Sequence, residues 1–196
     1  MPQQTVIFLG PQGSGKGTQV ELLAKHLEES DSQGIVYFSA GKTFREFSHR
    51  DNYTASLVRP AISRGELIPF FLTAGLWAND LAENMKENTH LLIDGFPRMV
   101  EQIPTLNSAM EFYNRKEVVV VNIDISDEEA VKRLLLRHRT DDTAEGIQKR
   151  LAWSREQAGP IEAWFKSNPR YRIVHILGER PIEEVQKDVR RELGLV

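Results

Sequence analysis

Short apolar runs alternate along the chain with longer segments whose apolar residues recur every three or four positions. Five runs, at residues 5–9, 35–39, 90–94, 118–123 and 172–177, read as strands. They are apolar throughout instead of alternating, as strands buried on both faces must be. Between them the period changes to that of a helix, over 16–28, 57–64, 72–87, 102–114, 127–137, 145–167 and 182–193. Ser126, followed by Asp127, Glu128 and Glu129, is a candidate N-cap with acid in the first turn. Gly159-Pro160 is expected to kink or split the long helix that contains it. Strands alternating with helices predict an α/β fold, a mainly parallel five-stranded sheet with helices on both faces.

Two segments depart from this plan. Residues 40–70 should hold two or three short helices between the second and third strands, more than a minimal crossover needs. Residues 138–145, HRTDDTAE, form a polar stretch between helices. The pattern predicts one domain with a small helical lobe at 39–70 and a very short loop at 138–145. The remainder, 1–38, 71–137 and 146–196, forms the core.

Composition narrows the function classes. A chain of 196 residues suits one α/β domain. The formal net charge of −3 provides no general basic field for nucleic acid. The absence of cysteine rules out disulfides and thiolate zinc sites. The first apolar run spans only Val6–Leu9, too short for a signal peptide or membrane span, so a cytoplasmic location is expected.

The sharpest chemistry follows the first strand. GPQGSGKGTQ, residues 10–19, approximates the phosphate loop G-x-x-x-x-G-K-[ST], with Gly10, Gly15 and Lys16 in place. Glycines let successive N–H groups face inward, and the helix N-terminus and Lys16 add positive charge. The position after the lysine, where a hydroxyl should reach a metal ion, holds Gly17, and the nearest hydroxyl is Thr18. The loop alone implies a nucleotide phosphate and no more.

Phosphate chemistry needs cations on the transferring group. Arg45, Arg98, Arg133, Arg137, Arg139 and Arg150 are candidates, although each taken singly reads as an ordinary surface arginine. LLIDGFPRMVEQ, residues 91–102, ends an apolar strand in Asp94 and turns through Gly95, Phe96 and Pro97 to Arg98. Together GPQGSGKGTQ and DGFPR resemble the adenylate kinase branch of the nucleoside monophosphate kinases. FSAGKTFREF is similar to the family's S-[TA]-G-[DE]-x-x-R, placing Ser39, Ala40, Gly41, Lys42 and Arg45. RGELIP resembles G-x-L-V-P, and KRLLLRHRTDDTAEGIQKRL resembles the R-x-x-x-R, R-x-D-D and K-R-L run. LGERPIEEV fits the C-terminal loop, so the likeness covers nearly the whole chain in order.

The resemblance implies transfer of the γ-phosphoryl group of Mg-ATP to a nucleoside monophosphate. Gly13, Ser14, Gly15, Lys16, Gly17 and Thr18 would hold the ATP phosphates. Arg45 and Arg98 would grip the monophosphate, and Arg133, Arg139 and Arg150 would gather on the transferring group. Arg137 and Arg180 would lie near ATP. Asp94 would order waters around magnesium, with Thr18 a further candidate. Ala40, Glu66, Leu67, Ile68, Gly95, Phe96, Pro97 and Gln102 complete the implied monophosphate site, shared with Arg139 and Arg150. The family also implies a monomer. No zinc, nucleic-acid or membrane partner is expected.

Gln102 stands where adenylate kinases have a glutamine that reads adenine, which favours AMP. Ala40 is the residue usual in uridylate/cytidylate kinases, the alternative reading. A non-catalytic nucleotide binder is a weaker rival, and a GTPase-like switch would need an N-K-x-D motif that the chain lacks. Lys42 and Phe70 replace acidic residues usual in the family. The lid is the largest departure, since only His138 separates Arg137 from Arg139. Such a lid should shield ATP from water poorly.

Overall fold

The computed structural model describes residues 1–137 and 142–195. Five strands, β1 (Thr5–Leu9), β2 (Gly34–Ser39), β3 (Thr89–Asp94), β4 (Val118–Asp124) and β5 (Tyr171–Leu177), form one parallel sheet in the order β2-β3-β1-β4-β5. Period-two alternation places Ile7, Leu91, Ile93 and Val120 in one apolar cluster and Val6, Phe8, Leu92 and Val121 in another. The first cluster is closed by α4 (Phe70–Asn84), α5 (Ile103–Phe112) and α7 (Ala144–Ser167), through Trp77, Leu106 and Phe165. The second is closed by α1 (Lys16–Ser30) and α8 (Ile182–Glu192), through Leu23 and Val189. Burial on both faces is why the strands carry near-continuous apolar runs.

The helices of residues 40–70 form a lobe with its own small core. α2 (Ala40–Ser48) and α3 (Tyr53–Ser63) pack Phe44, Phe47, Ala55 and Val58 together with Ile68. α2 continues from β2 without a linker, and its buried Ala40, Phe44 and Phe47 recur at helical spacing. A smaller cluster joins α6 (Asp127–Leu136) to the start of α7 through Leu134, Ile147 and Leu151.

Ser126 caps α6 as its sequence predicts, accepting from Glu129 N–H at 3.3 Å. Two expectations need correction. Gly159-Pro160 does not split α7, which is unbroken through Pro160 to Ser167. Glu156, Gly159 and Pro160 lie on the exposed face, where the carbonyl left without a partner by Pro160 faces water. Further, α7 begins at Ala144, capped by Thr143, which accepts from Gly146 N–H at 3.1 Å. Residues 144 and 145 are therefore helix, not part of the polar loop. His138 and Arg139, with Thr140 and Asp141, lie outside the described residues.

Candidate active site

The carboxyl ends of β1, β2 and β3 meet at one edge of the sheet, where register sets Asp94 beside both Phe8 and Ser39. In a parallel sheet this edge is where ligands bind. A cleft of about 850 Å³ opens there between the lobe, α1, α6 and α7.

One end of the cleft is the phosphate loop. Gly10, Gly13 and Gly15 all have positive φ, at 126°, 88° and 93°. At Gly10 a Cβ would fall 2.3 Å from the Ile123 carbonyl oxygen, so only glycine fits. α1 starts with no side-chain cap and no acid in its first turn, leaving its N–H groups for an anion. Lys16 Nζ donates to the carbonyls of Gly10 and Pro11, each at 2.7 Å. Desolvation lowers its pKa from 10.5 to about 8, opposed by Asp94 and reinforced by Arg98 and Arg137. Gly13, Ser14, Gly17 and Thr18 also line the cleft.

Beside the loop lies a set of guanidinium groups. Arg45 and Arg98 converge over the backbone of Gly41. A Cβ there would lie 3.2 Å from Arg45 Nη1 and 3.7 Å from Arg98 Nη2. Arg98 donates through Nε to the Gly95 carbonyl at 2.8 Å. Neither arginine has a carboxylate in ion-pair contact among the described residues. Desolvation lowers the Arg98 pKa, Asp94 opposes this, and the charges of Arg45 and Arg150 add to it. Like charges held together without a matching carboxylate favour a bound anion.

A second pair of cations is tied to one carboxylate. Asp142, with its side chain almost fully buried, accepts from Arg137 Nε at 2.9 Å and Arg150 Nη2 at 2.7 Å. Arg133 bonds Glu129 at 2.8 Å and the Gly178 carbonyl at 3.0 Å. Arg180 pairs with Asp188 at the same end of the cleft. The structure thus brings Lys16, Arg45, Arg98, Arg133, Arg137, Arg150 and Arg180 to a single cavity. Arg139 lies outside the described residues.

Other predicted residues fall in different places. Ala40, Glu66, Leu67, Ile68 and Gln102 line the cleft. The Glu66 carboxylate is held by Arg64 at 2.7 Å. Phe96 does not face the cleft: it is fully buried, stacked on Trp77 at 4.8 Å. Gly95 and Pro97 line a separate cavity of about 110 Å³ behind the phosphate loop. These three therefore shape the turn that presents Arg98 and do not line the larger cleft. Gln102 is buried, and its Oε1 accepts from Arg98 N–H at 2.7 Å. Its Nε2 has no partner among the described residues, so the amide keeps an unused donor in the cleft. Lys42 is exposed and sits 3.9 Å from Glu46, a solvated pair at the rim.

Asp94 accepts from Ser39 Oγ at 3.3 Å and faces Gly17, where an added Cβ would lie 3.8 Å from the carboxylate. No group of three His, Asp or Glu side chains able to hold a metal occurs among the described residues. One carboxylate beside a phosphate loop fits magnesium, which binds through one or two carboxylates, waters and substrate phosphates. Sequence reasoning missed Tyr37 and Trp153, both lining the cleft. Neither stands in a phosphate motif. Burial, with Asp94 nearby, pushes the Tyr37 phenol up to about 12.

A family model described as adenylate kinase matches residues 8–170. Adenylate kinase 1 of a Nostoc species is 33% identical over 189 residues, covering 96% of this chain and 98% of that protein. The adenylate kinase of Thermus thermophilus is 33% identical over 196 residues, covering 98% of each. That of Prochlorococcus marinus is 32% identical over 191 residues, covering 97% of each. Among the described residues no helix is long and apolar enough to cross a membrane.

Proposed function

The chain belongs to the adenylate kinase family, and on that premise we propose that it transfers the terminal phosphoryl group of ATP to AMP, giving two ADP. The observation that carries this reading is the pairing of a phosphate loop with a second cationic site, Arg45 and Arg98 over Gly41, in one cleft. A nucleotide hydrolase or switch has no use for the second site.

The phosphate loop and Lys16 hold the ATP phosphates. Arg45 and Arg98 hold the acceptor phosphate, and their planar forks suit bidentate contact. Arg150 and Arg133, with Arg139, neutralise charge on the group in transit. Arg137 and Arg180 lie toward ATP. The acceptor oxygen is already anionic, so no general base is required; rate comes from alignment and electrostatics. Asp94 would hold magnesium through water, and the ion would supply positive charge to offset that of the ATP phosphates. Thr18 supplies a further oxygen at the loop.

The lobe of residues 39–70 receives the monophosphate, and the polar segment 138–143 ahead of α7 acts as a minimal lid over ATP. Gln102 donates its free Nε2 to an acceptor on the adenine ring while Oε1 stays with Arg98. The relatives' names support AMP over a pyrimidine monophosphate. A monomeric, cytoplasmic enzyme fits the family. The test is incubation with Mg-ATP and AMP, dAMP, CMP, UMP or GMP, followed by separation of products. ADP formed stoichiometrically from ATP and AMP is the expected result. Dominant CDP or UDP overturns the acceptor, and no transfer to any acceptor overturns the activity.

A further inference from the structure

Trp153 lies on α7 three residues after Arg150, on the face toward the cleft. Two different contacts converge on its indole. Nε1 donates to the Gly65 carbonyl at 3.1 Å, and the Arg98 guanidinium carbon lies 5.7 Å from the ring centroid. Gly65 belongs to the turn that closes the lobe, immediately before Glu66, Leu67 and Ile68. That turn presses on the first turn of α7. A Cβ on Gly65 (φ 68°) would fall 2.3 Å from the Gly146 carbonyl oxygen, and one on Gly146 would fall 3.2 Å from the Ser63 carbonyl oxygen. Two glycines therefore permit a backbone-to-backbone contact between lobe and α7, and the Trp153 N–H bonds across it.

We propose that Trp153 is a positioning residue for the acceptor. Its N–H sets the lobe's turn, and with it the wall formed by Glu66, Leu67 and Ile68, while its ring supports Arg98. This rests on the reading of the lobe as the monophosphate site.

The chemistry of the support is specific. A carboxylate next to Arg98 would hold the guanidinium but would also cancel its charge and compete with phosphate. An aromatic face attracts the cation while leaving its N–H donors free. The indole thus orients Arg98 without satisfying it.

Two variants separate the contacts. Trp153→Phe keeps a ring under Arg98 and loses the N–H. Trp153→Leu loses both. With one neutral hydrogen bond removed, KM for AMP should rise about fivefold in Trp153→Phe. Adding loss of the cation–π contact should take the rise to about 30-fold in Trp153→Leu. KM for ATP should stay within about twofold, because uniform loss of acceptor binding moves only the acceptor's constant. A merely structural role would raise both KM values together and lower the melting temperature of each variant, which would overturn the proposal. So would unchanged KM for AMP in both.

A readout independent of transfer uses the indole N–H resonance of Trp153, assigned by its loss in Trp153→Phe, during titration with AMP alone. It should shift on binding, and its exchange with solvent should slow. AMP that shifts other resonances but leaves this one unmoved refutes the positioning role alone. AMP that shifts nothing removes the acceptor reading and the role with it.

Discussion

Gly41→Ala separates site geometry from fold stability. Gly41 is the second residue of α2 and has a φ that any L-residue can adopt, so alanine introduces no backbone strain. In a helix alanine is favoured over glycine by about 0.5–1 kcal/mol. The folded state should therefore hold or gain slightly, with a melting temperature unchanged or up by about 2–4 °C. The new methyl meets Arg45 Nη1 at 3.2 Å and Arg98 Nη2 at 3.7 Å. Both are ends of flexible side chains, so the fold accommodates them cheaply. The guanidinium groups must move by a few tenths of an ångström. A bidentate grip tolerates that badly. Loss of one charge-assisted hydrogen bond, about 1.5–3 kcal/mol, corresponds to roughly 10- to 150-fold in binding. KM for AMP should rise by about that factor, with KM for ATP unchanged. The assay is coupled steady-state kinetics with each nucleotide varied, alongside thermal melting. Normal KM for AMP in a folded variant would refute the placement of the acceptor phosphate over Gly41. Gly95→Ala is a poorer probe, because φ there is 69° and strain would confuse the result.

Four further outcomes follow from the same geometry. Lys16 has a folded pKa of about 8, below its ordinary 10.5, so burial of its charge opposes folding fully below pH 8, and the penalty fades between pH 8 and 10.5. ATP restores the charge, so binding calorimetry at pH 8.5 should show proton uptake; heats independent of buffer ionisation enthalpy would contradict this. Asp94→Ala should cut magnesium-dependent transfer about 100-fold or more while nucleotide still binds, and near-normal turnover would mean the metal is held elsewhere. Asp142→Asn removes the carboxylate between Arg137 and Arg150 and should cost about 3 kcal/mol on denaturant titration; an unchanged midpoint would show that other groups compensate. On the proposed reading of the polar segment ahead of α7 as a short lid, incubation with Mg-ATP and no acceptor should release phosphate at a measurable rate; no release would show that water is excluded without a larger one.

The sheet is readable from sequence because each strand is buried on both faces. Val6, Ile7 and Phe8 must all be apolar when alternate residues serve different cores. The phosphate loop is readable because its glycines are dictated by backbone conformation and not by packing. Position is harder to read where one element runs into the next. α2 follows Ser39 directly, with no turn residues to mark its start. Pro160 misleads for a different reason: its effect depends on which face of the helix it occupies, and that is a tertiary fact. Trp153 is invisible in the sequence because its partners are a carbonyl at Gly65 and a cation at Arg98, 88 and 55 positions away. Phe96 belongs to the site by its motif, yet its ring fills the core beneath the turn. Within one motif some residues, like Arg98, face the cleft while others, like Phe96, only hold the turn that presents them.

The electrostatics of the cleft explain why the carboxylates stand where they do. Asp142 pairs with Arg137 and Arg150, and Asp188 with Arg180, so the outer cations are partly neutralised within the protein. Arg45 and Arg98 are held by a helix turn, the Gly95 carbonyl and an aromatic ring, none of which removes charge. Asp94, whose charge acts on Arg98, instead bonds Ser39 and faces Gly17 of the phosphate loop. The uncompensated charge is therefore concentrated at the inner site. A dianionic phosphate entering there relieves repulsion between Arg45 and Arg98 as well as forming charge-assisted hydrogen bonds, whereas a neutral nucleoside brings no charge to relieve it. On the proposed reading, selection for a phosphorylated acceptor lies with the arginines and the choice among bases with Gln102. Replacing Gln102 should then alter the ranking of monophosphates while preserving the preference for monophosphate over nucleoside, and replacing Arg45 should do the reverse.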